Sequence, residues 1–181
     1  MTHEGGEDLP EETIQRTGVW TPPKGTLKSE EDAELTLDGK KVKCRKQSYE
    51  WREGEGGVDG SMALWISADA RTPYREVDIS GTDLAVPPGT LRMEFGSRKE
   101  SAETKIVLEV TAVDRELQIA GKKVSCVVET VAIHEPKREL DIVRWLSADV
   151  PGVACKWTAK GKLKRGEFKS SLTVLDFEAR R

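Results

Sequence analysis

At 181 residues the chain has room for one sizeable core or two small ones. Its 36% hydrophobic and 34% charged content suits thin sheets with one wet face better than a deep multi-layered enzyme core. A net charge of −3 gives no footing for non-specific nucleic-acid binding, which needs clustered positive charge, and no apolar run approaches the roughly 20 residues of a transmembrane segment.

The chain opens on MTHEGGEDLPEE, acidic and polar where a signal peptide would be basic and then apolar. That start reads as cytoplasmic as written, and as extracytoplasmic if a leader has been removed. Residues 1–32 carry Gly, Pro and clustered acids, with few apolar anchors beyond Ile14, Val19 and Trp20. They read as an extended or disordered acidic arm. Trp20, followed by Thr-Pro-Pro, is expected either to dock on the body or to bind a partner. Ser29 followed by Asp32 resembles a cap, so Ser29–Glu34 is a candidate helical turn.

Beyond the arm, the chain repeats itself. Leu35-Thr-Leu-Asp-Gly-Lys-Lys-Val-Lys-Cys44 is matched by Leu117-Gln-Ile-Ala-Gly-Lys-Lys-Val-Ser-Cys126, and Trp65-Ile-Ser-Ala-Asp-Ala70 by Trp145-Leu-Ser-Ala-Asp-Val150. Val86-Pro-Pro-Gly89 is matched by Val150-Pro-Gly152. An insertion from Arg71 to about Leu84, with room for another helical turn, separates the last two blocks of the first copy. Three ordered matches point to a tandem duplication, with units at 33–114 and 115–181. Asp38-Gly39 between alternating hydrophobics is a hairpin signal, and Ala120-Gly121 stands in its place in the second unit. Long strands follow at Lys41–Arg52 and Lys123–His134, then shorter ones at Met62–Ser67 and Leu140–Ser147. Leu91, Met93 and Phe95 alternate with charged residues, as do Val153, Cys155 and Trp157 with Ala154 and Lys156. The units close with alternating segments, Lys105–Val113 and Lys169–Phe177. Each unit thus reads as about five strands joined by short turns. The expected fold is all-β and mainly antiparallel, forming a curved sheet or half-barrel, or two paired sheets.

No catalytic, metal or cofactor signature stands out. His3 and His134 are the only histidines, and His134 lacks the Gly-x-Ser-x-Gly elbow of a hydrolase; it reads as a surface residue. Nothing among the 32 acids marks one carboxylate pair for glycosidase chemistry. Gly54-Glu-Gly-Gly57 lacks the Lys-Ser/Thr of a phosphate loop and reads as a long hairpin turn. In the Trp65 and Trp145 blocks, the Trp is expected to cover the sheet end while Ser and Asp bond backbone amides of the next turn. Cys44, Cys126 and Cys155 show no CxxC spacing and read as buried small hydrophobes. A Cys126–Cys155 disulfide would need their strands to be neighbours.

At Trp145-Leu-Ser-Ala-Asp-Val-Pro-Gly152 the chain resembles bacterial β-repeat proteins with a W-x-S-x-x-V-P-G turn. Their shape is similar to the curved half-barrel of periplasmic lipoprotein carriers. The likeness spans about 33–178. The second unit follows the motif, whereas the first departs through its insertion and through Pro87-Pro88.

Two readings of function follow. The first is a non-catalytic binding or assembly module acting through protein–protein contacts, with Trp20 and the basic cluster Lys160, Lys162, Lys164 and Arg165 as partner-binding candidates. The cluster also reads as a solvated hairpin tip whose charges discourage edge pairing, or as a contact for anionic lipid. The second is a carrier of a lipid or other apolar ligand, held by Trp65, Met93, Phe95, Trp145 and Trp157 on the concave side of a half-barrel. An enzyme is the least favoured reading.

Overall fold

The computed structural model describes residues 19–20, 27–52, 59–79, 82–99, 102–150, 153–163 and 166–175. All regular structure among them is strand: β1 (Val19–Trp20), β2 (Leu27–Leu37), β3 (Lys40–Arg52), β4 (Asp59–Ile66), β5 (Arg75–Ile79), β6 (Thr82–Val86), β7 (Thr90–Lys99), β8 (Ala102–Ile119), β9 (Lys122–Glu135), β10 (Arg138–Leu146), β11 (Ala154–Leu163) and β12 (Gly166–Thr173). Nine of them form one antiparallel sheet in the order β12-β11-β10-β9-β8-β7-β4-β3-β2, which does not close into a barrel. A second, three-stranded sheet runs β1-β6-β5, with β1 parallel to β6. Gly54–Gly57 and the closing residues 176–181 lie outside the described residues.

Two local expectations are corrected. Ser29–Glu34 is not a helical turn but part of β2. Extended pairing gives its acids cross-strand partners, with Glu30 on Arg45, Glu31 on Lys46 at 3.0 Å and Glu34 on Lys41 at 2.7 Å. A helical turn would have stacked the same acids on one another. Residues 27–32 therefore belong to the sheet rather than to an arm. The described residues of the insertion hold no helix either: they form strands β5 and β6, whose Val77 pairs with Leu84 and Arg75 with Val86. Their alternating apolar residues have period two, so a strand can bury them on one side where a helix would scatter them.

Each long hairpin turns on two residues with positive φ, Asp38 (49°) and Gly39 (75°) in one and Ala120 (49°) and Gly121 (77°) in the other. This is the mirror-image turn that matches the right-handed twist of paired strands, and glycine takes the second position at least cost. The registers beyond these turns also agree. Trp65 lies between Lys46 and Arg92, and Trp145 between Val128 and Lys156, with the ladder shifting just after each Trp. Strand β8 runs unbroken through residue 114, where Asp114 takes φ 54° beside a register shift.

Three apolar clusters hold the molecule. The largest joins Met62, Leu64, Met93, Phe95, Ile106, Leu108, Val131 and Ile133 on the inner face of the sheet to Val77, Leu84 and Val86 of the β5–β6 hairpin. The second contains Leu35, Leu37, Val42, Cys44, Trp65, Ala70, Leu91 and Val110, together with Val113 and Val127. The third contains Leu117, Ile119, Val124, Cys126, Trp145, Val150, Cys155 and Val174. These two sit at the turn ends of the long hairpins.

After each Trp block the chain makes a similar reversal. Ser67 N donates to Gly89 O (3.0 Å) and Ser147 N to Val153 O (2.8 Å). The acceptor residue is left-handed in both, with φ 78° at Gly89 and 66° at Val153. A β-branched residue there is strained. Val153→Gly is therefore expected to raise stability by about 1 kcal/mol, read as a rise of a few degrees in thermal midpoint. A fall would show that the Val153 side chain contributes more than its backbone costs.

Candidate protein interface

The centre of the inner face is closed. The β5–β6 hairpin lies on it and is held by a buried charge cluster. Glu129 on β9 is fully buried and accepts from Arg75 Nε (2.6 Å) and Arg144 Nε (2.8 Å). Arg75 also donates to the carbonyls of Thr90 (3.0 Å) and Pro73 (3.1 Å). Arg144 donates to Glu76 O (2.8 Å) and Arg138 to Asp78 O (3.1 Å). Burial pulls the Arg75 guanidinium below its ordinary pKa, an effect that Glu129 opposes. The available sequence signals were a single acid inside the apolar run Cys-Val-Val-Glu-Thr-Val-Ala-Ile and a single arginine inside Ile-Val-Arg-Trp-Leu. Nothing in either names its partner.

The side chains expected to hold an apolar ligand do not converge. Met93 and Phe95 are buried beneath the hairpin, with Trp51 packed 5.7 Å from the Phe95 ring. The side a half-barrel carrier would keep for cargo is occupied there by the chain's own Val77, Leu84 and Val86. Trp65 and Trp145 belong to the two separate hairpin-end clusters. Arg92 lies 5.3 Å from the Trp65 ring centre and Lys156 6.0 Å from that of Trp145, which fits a cation–π cap on each. Trp157 lies on β11, paired with Arg144 and Leu172. Of the block hydroxyls, Ser147 Oγ accepts from Asp149 N at 3.3 Å. Ser67 Oγ is buried with no hydrogen-bond partner among the described residues. His134 is exposed, 3.3 Å from Glu139. Trp20 pairs through its backbone with Leu84.

The open surface is the C-terminal flank. β10 still meets the hairpin through Arg138 and Arg144; beyond it, among the described residues, the inner side of β11 and β12 is more open. Leu163 and Leu172 are each 43% exposed, and Trp157, Leu140, Ile142 and Phe168 are half-buried. Because Trp157 opposes Leu172 and Gly161 opposes Phe168, these side chains form one row along the last two strands. The row is held tight at Gly161, where a Cβ would sit 1.9 Å from Glu139 O. On the other side Lys160 directly opposes Lys169, and Asp141 is 3.9 Å from Lys160. Lys162 is exposed next to Glu167 across the ladder. A shallow depression of ≈ 700 Å³ is lined by Lys160, Lys162, Lys169, Phe168 and Leu140 among others. The strands run to Leu163 and resume at Gly166, so Lys160 and Lys162 lie along β11. Lys164 and Arg165 fall outside the described residues.

The opposite edge is different. β2 presents its acids already paired to β3, a charged edge of the kind that resists further strand pairing. No group of His, Cys, Asp and Glu among the described residues is placed to hold a metal, and no described helix is long and apolar enough to cross a membrane. No family model matches the chain, and comparison with curated proteins and with solved structures gives no match.

Proposed function

We propose that the chain is a non-catalytic binding module that acts through protein–protein contact at the β12 edge, where it takes an acidic, extended segment as an added strand. The observation that carries this reading is the pairing of an unpartnered edge strand with an uncovered apolar row and a lysine pair. Among the described residues no strand pairs with the outer side of β12, which leaves its backbone donors and acceptors there for an added strand. Trp157, Phe168 and Leu172 offer alternating apolar contact. Lys160 and Lys169 are like charges set opposite each other, relieved only in part by Asp141, 3.9 Å from Lys160, so an added anion is attracted there. Strand addition uses all three: ladder hydrogen bonds give affinity, and the side-chain row gives selectivity.

The scaffold reads as two copies of one unit that share β8, the last strand of the first and the first of the second. The matched turns, registers and hairpin-end clusters support this. β12 then occupies the place that β8 takes in the middle of the sheet, with its outer side left open where β9 would pair.

The reading is tested by titrating the full chain with a peptide of alternating valine and glutamate while recording backbone amide shifts. Shifts are expected on β11 and β12 and should weaken with salt. Lys169→Glu and Leu172→Lys are each expected to weaken binding about tenfold, ~1.4 kcal/mol. Absence of shifts at millimolar peptide, or shifts centred on β2, would overturn it. Sedimentation of the chain alone shows whether a second copy competes for the same edge.

A further inference from the structure

Cys126 and Cys155 lie on β9 and β11, with β10 between them in the sheet order. Their sulfurs are nevertheless 3.7 Å apart and both residues are buried. The ladder explains this. β10 makes its last pairing with β9 at Val127–Leu146, one residue short of Cys126. On the other side, Lys156 and Ala154 pair with Trp145 and Leu146, so Cys155 is the residue skipped at the register shift. Cys155 thus sits at the bulge beside Trp145 and Leu146, and Cys126 just past the last β9–β10 pair, so the two sulfurs meet at the end of β10. Each sulfur also lies near the carbonyl two residues before it, Val124 O at 3.7 Å and Val153 O at 3.8 Å, which leaves the two facing each other. In the other hairpin-end cluster the matching positions are Cys44 and Leu91. The same packing there holds one thiol and one leucine, so only the third cluster has paired sulfur.

We infer that Cys126 and Cys155 are a dithiol that closes to an intramolecular disulfide when the chain meets a disulfide oxidant, tying β9 to β11 across the end of β10. One protein thiolate attacks the oxidant's S–S bond, forming a mixed disulfide and releasing one small thiolate. The second protein thiolate then attacks the protein-side sulfur, forming the Cys126–Cys155 bond and expelling the second small thiolate. The protein loses two electrons and two protons, and the oxidant is reduced to two thiols. Burial raises both pKa values, that of Cys126 to about 12, so the exchange is slow in the closed protein. It proceeds through opening of the C-terminal strands, where β11 lies one strand from the edge.

The test is incubation of the full chain with oxidised glutathione, followed by thiol counting, intact mass and non-reducing peptide mapping. The free cysteines are three. They should fall to one, with loss of two hydrogens and a crosslink joining the Cys126 and Cys155 peptides. Closing a loop of this span should raise the thermal midpoint by roughly 5–15 °C. Cys44→Ser should keep the whole effect, and Cys126→Ala and Cys155→Ala should each abolish it. Three thiols persisting under excess oxidant, a stable glutathione adduct without a crosslink, or a link through Cys44 would each overturn the inference.

Discussion

Glu129→Ala is expected to lower the unfolding free energy by about 3–5 kcal/mol. The change removes the one acid shared by Arg75 and Arg144 and leaves two guanidinium groups facing each other under the β5–β6 hairpin. Arg75 keeps its bonds to Thr90 O and Pro73 O, but carbonyl dipoles do not replace a buried counter-charge. The hairpin should loosen first, because Arg144 also holds it through Glu76 O. Chemical denaturation gives the total loss, and limited proteolysis around 71–84 shows where it begins. A triple replacement of Arg75, Glu129 and Arg144 by apolar residues of similar size should recover most of the stability, since no buried charge is then left unpaired. A loss below about 1 kcal/mol in Glu129→Ala would mean that water reaches the cluster and that the hairpin is held by Val77, Leu84 and Val86 alone.

This cluster also marks the limit of what the sequence shows. Period-two alternation placed Ile106, Leu108 and Val110 on one buried face, and all three are buried there. The Asp-Gly signal located a hairpin turn because positive φ is a local demand that few residues meet. Burial of Glu129 depends instead on Arg75, 54 residues away in the chain, and no local pattern encodes that distance. The same holds for the insertion. Read alone, Arg71–Leu84 offers a short apolar alternation that fits several structures. It becomes a hairpin because an uncovered inner face exists for Val77 and Leu84 to pack on. The ligand candidates failed to converge for a related reason. Trp65, Met93, Phe95, Trp145 and Trp157 are all large and apolar, but composition does not say which side of a strand each takes. Register does: Met62 opposes Phe95 and Leu64 opposes Met93, whereas Trp65 sits one residue out of phase with that pair. On the C-terminal strands, Lys160, Lys162 and Trp157 were visible as residue types. Their meeting with Phe168 and Leu172 on an open edge required the pairing of β11 with β12.

Two substitutions of the same chemistry separate the part of the sheet that holds the fold from the part proposed to meet a partner. Leu108→Ala should cost about 3–5 kcal/mol. Leu108 is fully buried, opposes Met93 on β7 and Val131 on β9, and lies in the cluster roofed by the β5–β6 hairpin. Strands on both sides and the hairpin above restrain collapse, so the cavity should persist and add to the lost transfer free energy. Leu172→Ala should cost less than about 1 kcal/mol, because Leu172 is 43% exposed on the last strand and has β11 on one side only. In the peptide titration the order should reverse. Leu172→Ala should weaken binding at β12 several-fold, and Leu108→Ala, measured where the chain is still folded, should leave it unchanged. Equal stability losses at the two positions would show that the C-terminal row is core and the edge is not a docking surface. Equal binding losses would show that β12 takes its shape from the whole sheet rather than from its own side chains.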